Sequence, residues 1–225
     1  MIEHPAIIDY SLYLESKLEE HNLISVKIGH LYLPTGKIVA ADPFFSFGKA
    51  AFNRRVKPGF YPVMLYLTEG KEDAHRIALA KIQFNNNPIL RWVMAISEGM
   101  EDDEVLLLSE DEFLGYPVDA GLGMFVDELI NYKFNLEMEL YYQKHEYGSY
   151  YKNVLAPEFL DFSGKNPLSR KPGDWNIHYL KGNRTDNVVM FATGMGDGVY
   201  PCYWALDHND QEVALITDFL MLSEV

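Results

Sequence analysis

From Leu23 onward, apolar residues return at every second position: Ile24, Val26 and Ile28 alternate with Ser25, Lys27 and Gly29. A period of two places one set of side chains on one face of an extended chain, as in a half-buried strand. The same alternation recurs in short bursts over 60–68, 76–84 and 89–97, and again over 175–180, 187–192, 199–206 and 212–217. Turn-forming clusters separate these bursts, among them Pro34-Thr35-Gly36 and Asn85-Asn86-Asn87-Pro88. Residues 31–33 and 37–41 therefore read as a hairpin. The three strands from Phe60 to Ser97 read as consecutive antiparallel neighbours, because their links are too short for a parallel crossover.

Two segments keep a helical period instead. Pro5 and Asp9 look like a helix start, and Ile7, Tyr10, Leu14 and Leu18 recur at three and four residues. Over about 124–144, Phe125, Leu129, Tyr132, Leu136 and Leu140 mark one face of a longer helix. The reading is an α+β chain dominated by antiparallel β-sheet, sandwich-like or highly curved, with an N-terminal helix and one long central helix. Its 225 residues read as a single domain, 1–225, because no linker separates two self-sufficient cores. An aromatic content of 14% suits strands.

Lysine and arginine number 19 against 33 acids, a formal charge of −14. Such a surface repels nucleic acid and anionic membrane, whose capture depends on basic side chains. A basic protein would be attracted to it. The stretch from Glu98 to Glu112 holds eight acids and no Lys or Arg, so Glu101, Asp102, Asp103 and Glu104 are the candidate partner-binding residues. No apolar stretch approaches the ~18 residues of a spanning helix, and no basic-then-apolar leader opens the chain. The lone cysteine, Cys202, forms no internal disulfide, so a reducing cytoplasm is expected.

Chemical motifs are scarce. Gly194, Gly196 and Gly198 precede a strand, whereas a dinucleotide fingerprint must open a helix and a P-loop needs Gly-Lys-Ser or Gly-Lys-Thr. The loop reads as a corner, with Asp197 bonding nearby amides and Gly196 or Gly198 at positive φ. Residues 207–210 lack the glycine of a calcium loop and read as a hairpin turn. His145-Glu146 does not extend to a zinc-protease motif, and no nucleophile elbow occurs. Cys202, even with His178 or His208 as a base, sits within an apolar strand beside Trp204 and reads as core. No catalytic residue, metal ligand or cofactor is assigned. The acids at strand ends remain, with Asp42, Asp119 and Asp197 as candidate ligand-binding carboxylates around a cleft.

The phrases LPTGKIVAADP (33–43), VKPGFYPV (56–63), YPVDAGLGMFVD (116–127) and GMGDGVYPCYW (194–204), with Asp218-Phe219, resemble the bacterial family catalogued as domain of unknown function 4241. Ala205 stands where members often carry Gly. The resemblance implies a bacterial cytoplasmic protein and brings no established reaction, cofactor or catalytic residue. Families of this kind often include immunity proteins that neutralise secreted toxins. Two functions are therefore carried forward. One is a non-catalytic, acidic, immunity- or antitoxin-like protein occluding a basic protein partner. The other is a small-ligand-binding protein or hydrolase using the strand-end carboxylates.

Overall fold

The computed structural model describes residues 3–14, 18–69, 75–100, 102–109 and 111–222. Its strands are β1 (Leu23–Leu33), β2 (Ile38–Ala41), β3 (Gly59–Thr68), β4 (Ile77–Gln83), β5 (Arg91–Met94), β6 (Gly115–Val118), β7 (Leu122–Asp127), β8 (Trp175–Tyr179), β9 (Asn187–Ala192), β10 (Gly198–Leu206) and β11 (Glu212–Asp218). The helices are α1 (Asp102–Leu106), α2 (Glu128–Lys144) and α3 (Ala156–Phe162). Seven strands form one sheet in the order β1-β3-β4-β11-β10-β5, with β6 also paired to β10. The other sheet runs β2-β7-β9-β8, and every pairing in both is antiparallel.

The alternation read from the sequence explains how the layers stack. Leu31, Leu65, Ile82, Trp204 and Leu215 of the larger sheet pack against Phe125, Ile177, Val189 and Phe191 of the smaller one. The outer face of the smaller sheet carries Val39, Met124, Val188 and Met190, which are covered by Ile130, Phe134 and Met138 of α2 and Phe159 of α3. Each of the larger side chains in such a layer contributes roughly 1.5–3 kcal/mol on leaving water. Tyr10 and Leu14 cover the outer face of the larger sheet at Tyr66, Leu79, Tyr203 and Ile216.

Several expectations are corrected. Among the described residues no N-terminal α-helix forms: one 3-10 turn, Tyr10–Leu12, follows the Asp9 cap and another lies at Glu19–His21, with 15–17 outside the described residues. Sheet contacts override the local helical period, because Pro5 bridges to Val93 and the Trp92 indole N–H donates to Ser11. The expected central helix over 124–144 also gives way. Met124 to Asp127 belong to β7, and helical structure begins only at Glu128, where the Asp127 carboxylate caps the Leu129 amide. Helical residues resume at Tyr151–Leu155 as a π-helical turn running into α3. Moreover, the face chosen for that helix points outward: Leu129, Tyr132, Leu136 and Leu140 are exposed, while Ile130, Phe134 and Met138 are buried.

Strand pairing departs from the local reading too. Residues 31–33 and 37–41 form no hairpin, since β1 pairs with β3 and β2 with β7. Pro34-Thr35-Gly36 instead carries the chain between sheets, and Asp127 holds the Thr35 amide and hydroxyl at 2.9 and 2.8 Å. Likewise β3 and β4 are neighbours, but β5 lies beyond the β10–β11 hairpin. The asparagine link reaches across that hairpin, with Asn87 donating to Asp207 at 2.7 Å and Asn85 to the Glu212 carbonyl at 2.9 Å. Residues 207–210 are indeed its turn, as Asp207 accepts from the amides of Asn209 and Gln211.

The glycine loop is the corner between β9 of one sheet and β10 of the other. Gly196 has φ +96°, and a Cβ there would meet nothing within 4 Å. Backbone strain alone therefore opposes a side chain. Gly196→Ala is expected to destabilise by more than ~1 kcal/mol, read from the shift of the urea midpoint at constant slope. Gly194 serves packing instead, because a Cβ would lie 2.6 Å from the Ile77 carbonyl oxygen.

Candidate ligand groove

Strand β8 alternates Trp175 and Ile177, which enter the inter-sheet core, with Asn176 and His178, which point to the helical layer. Two polar groups thus lie under helices and need partners there. The first turn of α3 supplies Glu158, whose Oε2 accepts from His178 Nδ1 and Asn176 Nδ2, each at 2.9 Å. From α2 comes Glu137. Its Oε1 accepts from the Tyr150 hydroxyl at 2.8 Å and lies 3.6 Å from His178 Nε2, and its Oε2 accepts from the Lys181 amide at 2.8 Å. Tyr150 and His178 are 3.2 Å apart, so the hydroxyl can accept from Nε2 while donating to Glu137. His178 is 2% exposed.

This cluster is the floor of a groove of about 730 Å³. Leu136, Leu140, Val154 and Leu180 form its apolar walls, and Lys133, Lys144 and Lys181 reach its rim. Asp186 engages Lys133 at 2.6 Å. Burial on its own would lower the His178 pKa, but the hydrogen bonds to Glu137 and Glu158 outweigh it and raise the value to about 9. For Glu137, burial is opposed by the bonds from His178, the Lys181 amide and Tyr150, which take it down to about 2. Burial, together with the Glu137 carboxylate, pushes the Tyr150 phenol above its usual range.

Near neutral pH, then, His178 is an imidazolium between two carboxylates. It is a poor general base, and both oxygens of Glu137 are engaged. The open position is Glu158 Oε1, which has no hydrogen-bond partner among the described residues. Glu158 is 38% exposed at its side chain. The floor's two carboxylates and one imidazolium carry a net charge of −1 and suit a hydrogen-bond donor at Glu158, while Lys144 and Lys181 at the rim add positive charge above it.

The candidates named from sequence lie elsewhere. Asp42 is buried, with Oδ1 accepting from the Phe44 amide and Oδ2 from the amides of Asp119 and Ala120. Asp197 accepts from the Gly121 amide at 2.9 Å. The structure thus brings Asp42, Asp119 and Asp197 to one corner, where two of the carboxylates grip the loop that carries the third. Of the acidic run, Glu101 lies outside the described residues. Asp102, Asp103 and Glu104 start α1, and Glu104 is exposed. Cys202 and Trp204 are core, at 2% and 0% exposure, and burial pushes the Cys202 thiol up. Sequence reasoning considered His178 only as a base for Cys202. The available signal was Asn176 and His178 on one face of a strand whose other face is apolar.

A family model described as protein of unknown function (DUF4241) matches residues 31–217. The chain belongs to this family. The matched span contains the entire groove and the corner between the sheets. No curated protein and no solved structure matches the chain. Among the described residues no helix is long and apolar enough to cross a membrane, and no group of His, Cys, Asp or Glu is arranged to hold a metal ion.

Proposed function

We propose that this DUF4241 protein is a non-catalytic binding protein that takes a long cationic side chain of a basic protein partner into the α2 groove. The observation that carries the reading is Glu158 Oε1, an unpartnered carboxylate oxygen at the floor of a groove with apolar walls. A lysine or arginine stem lies well against such walls while its charged head meets the acid. Every other reactive group of the floor is already engaged, which argues for holding over chemistry. The charge of −14 supports a basic partner and would speed its approach, with the acids around Glu104 contributing to steering. An acidic immunity- or antitoxin-like protein of the bacterial cytoplasm would act by such occlusion.

The test is capture of partners from a bacterial extract by immobilised wild type, followed by affinity measurement against the captured protein. Glu158→Gln keeps an acceptor for His178 but removes the charge. It is expected to weaken binding roughly 10–100-fold, the range of a hydrogen bond to a charged group. An affinity unchanged by both Glu158→Gln and Leu180→Asp would exclude the groove as the binding site. A second reading, a small-ligand site, draws on the groove's volume, which is that of ordinary ligand pockets. Thermal stabilisation by free amines in the absence of any protein partner would favour it.

A further inference from the structure

The outer face of α2 carries a second apolar stripe. Leu129, Tyr132, Leu136 and Leu140 are 44, 66, 43 and 45% exposed and lie opposite the buried Ile130, Phe134 and Met138. A helix apolar on both faces normally has both faces covered. The stripe is flanked asymmetrically. Glu128 and Leu129 are followed by Lys133, and Glu139 and Leu140 recur eleven residues later, followed by Lys144. An eleven-residue spacing returns the chain to almost the same face, so both glutamates border one side of the stripe and both lysines the other.

We infer that the outer stripe of α2 is a self-association surface on which a second copy of this chain packs with its α2 parallel. In a two-fold arrangement with parallel helices, the acidic flank of each copy meets the basic flank of the other, glutamate to lysine five positions on. Antiparallel packing would set like flanks against each other, which is unfavourable. The flanking charges also differ in availability. Lys37 lies 3.6 Å from Glu128 and Asp186 2.6 Å from Lys133, whereas Glu139 and Lys144 have no charged partner among the described residues. The second copy's Lys144 and Glu139 supply those partners. Leu136 and Leu140 form the ridge between stripe and groove, so the second copy borders the groove mouth. The stripe and its basic flank share Lys133, Leu136, Leu140 and Lys144 with the walls and rim of the groove, whereas the floor residues Glu137, Tyr150, Glu158 and His178 take no part in the association.

Sedimentation velocity at roughly 100 µM protein and ~0.15 M salt, where the repulsion of two acidic chains is screened, reads the outcome. Wild type is expected to be a dimer. Tyr132→Glu, Lys144→Glu and Glu139→Lys are each expected to weaken association roughly tenfold or more, through a buried charge or facing like charges. An equimolar mixture of Lys144→Glu and Glu139→Lys chains is expected to recover a heterodimer, which also shows both variants to be folded. A monomeric wild type, or a dimer that Tyr132→Glu leaves intact, would overturn the surface. A mixture that stays monomeric would overturn the parallel arrangement.

Discussion

Replacing Trp204 with alanine is expected to cost roughly 3–5 kcal/mol of stability, the range seen when a large buried aromatic is removed. Trp204 is fully buried at the centre of the inter-sheet core, on β10 between Leu215 of β11 and Val93 of β5. Phe52 meets its ring edge-on at 6.1 Å, and Phe84 lies 5.9 Å away. These neighbours are anchored in different strands and loops, so they cannot close around an emptied site without moving the sheets. Against a total stability of about 5–15 kcal/mol, such a loss is large enough to leave a visible unfolded fraction at growth temperature. Trp204→Phe should behave differently. The indole Nε1 is buried without a hydrogen-bond partner, a defect that costs on the order of 1–3 kcal/mol and vanishes with the indole. Phenylalanine is therefore expected to lose less than half of what alanine loses. Urea unfolding at constant slope distinguishes the two. An alanine variant within about 1 kcal/mol of wild type would contradict the placement of Trp204 in the core.

What could be read from the residues follows from what periodicity measures. Alternation reports that a segment is extended and which side chains share a face, and the strands at 23–33, 60–68 and 187–192 were legible on that basis. It carries no information about which strand lies alongside. Pro34-Thr35-Gly36 was recognisable as a turn, yet it links two sheets, because the groups that hold it, Asp127 above all, lie far away in sequence. Likewise the asparagine link before β5 spans a hairpin that appears more than a hundred residues later. Helical periodicity has its own ambiguity in α2, where both faces are apolar. The spacing of Leu129, Tyr132, Leu136 and Leu140 marks one face, but the core takes the other, because coverage is decided by the sheet beneath and not by the helix. The Gly196 corner was legible because positive φ is a local demand. The groove was not, since Glu137, Tyr150, Glu158 and His178 come from separate elements and only tertiary folding gathers them.

That gathering should leave a pH signature. His178 has an ordinary pKa of 6.5 and a folded value of about 9. A group whose pKa is raised on folding stabilises the fold fully below its unfolded value, and the contribution disappears as pH rises through the folded value. The His178 contribution is therefore complete below pH 6.5 and lost by about pH 9. With the group almost fully buried, the difference corresponds to about 3 kcal/mol. Glu137 has the opposite sign: lowered from 4.5 to about 2, it stabilises above pH 4.5 and ceases to do so as pH falls through about 2. The cluster is thus strongest between about pH 4.5 and 6.5. The buried Cys202 thiol, raised from its ordinary 9.0, begins to favour unfolding as pH nears 9, so His178 is read below about pH 8.5. The buried phenols of Tyr10 and Tyr150 are raised from 10.0, so they begin to favour unfolding only above pH 10. Urea midpoints from pH 6 to 8.5 are expected to fall for wild type as His178 gives up its proton. His178→Gln, which leaves Glu137 and Glu158 facing a neutral amide, should be the less stable protein at pH 6. Its profile should stay nearly level over the same range. If the wild-type midpoint is equally level from pH 6.5 to 8.5, His178 is not held as an imidazolium, and the carboxylates of Glu137 and Glu158 lack its countercharge.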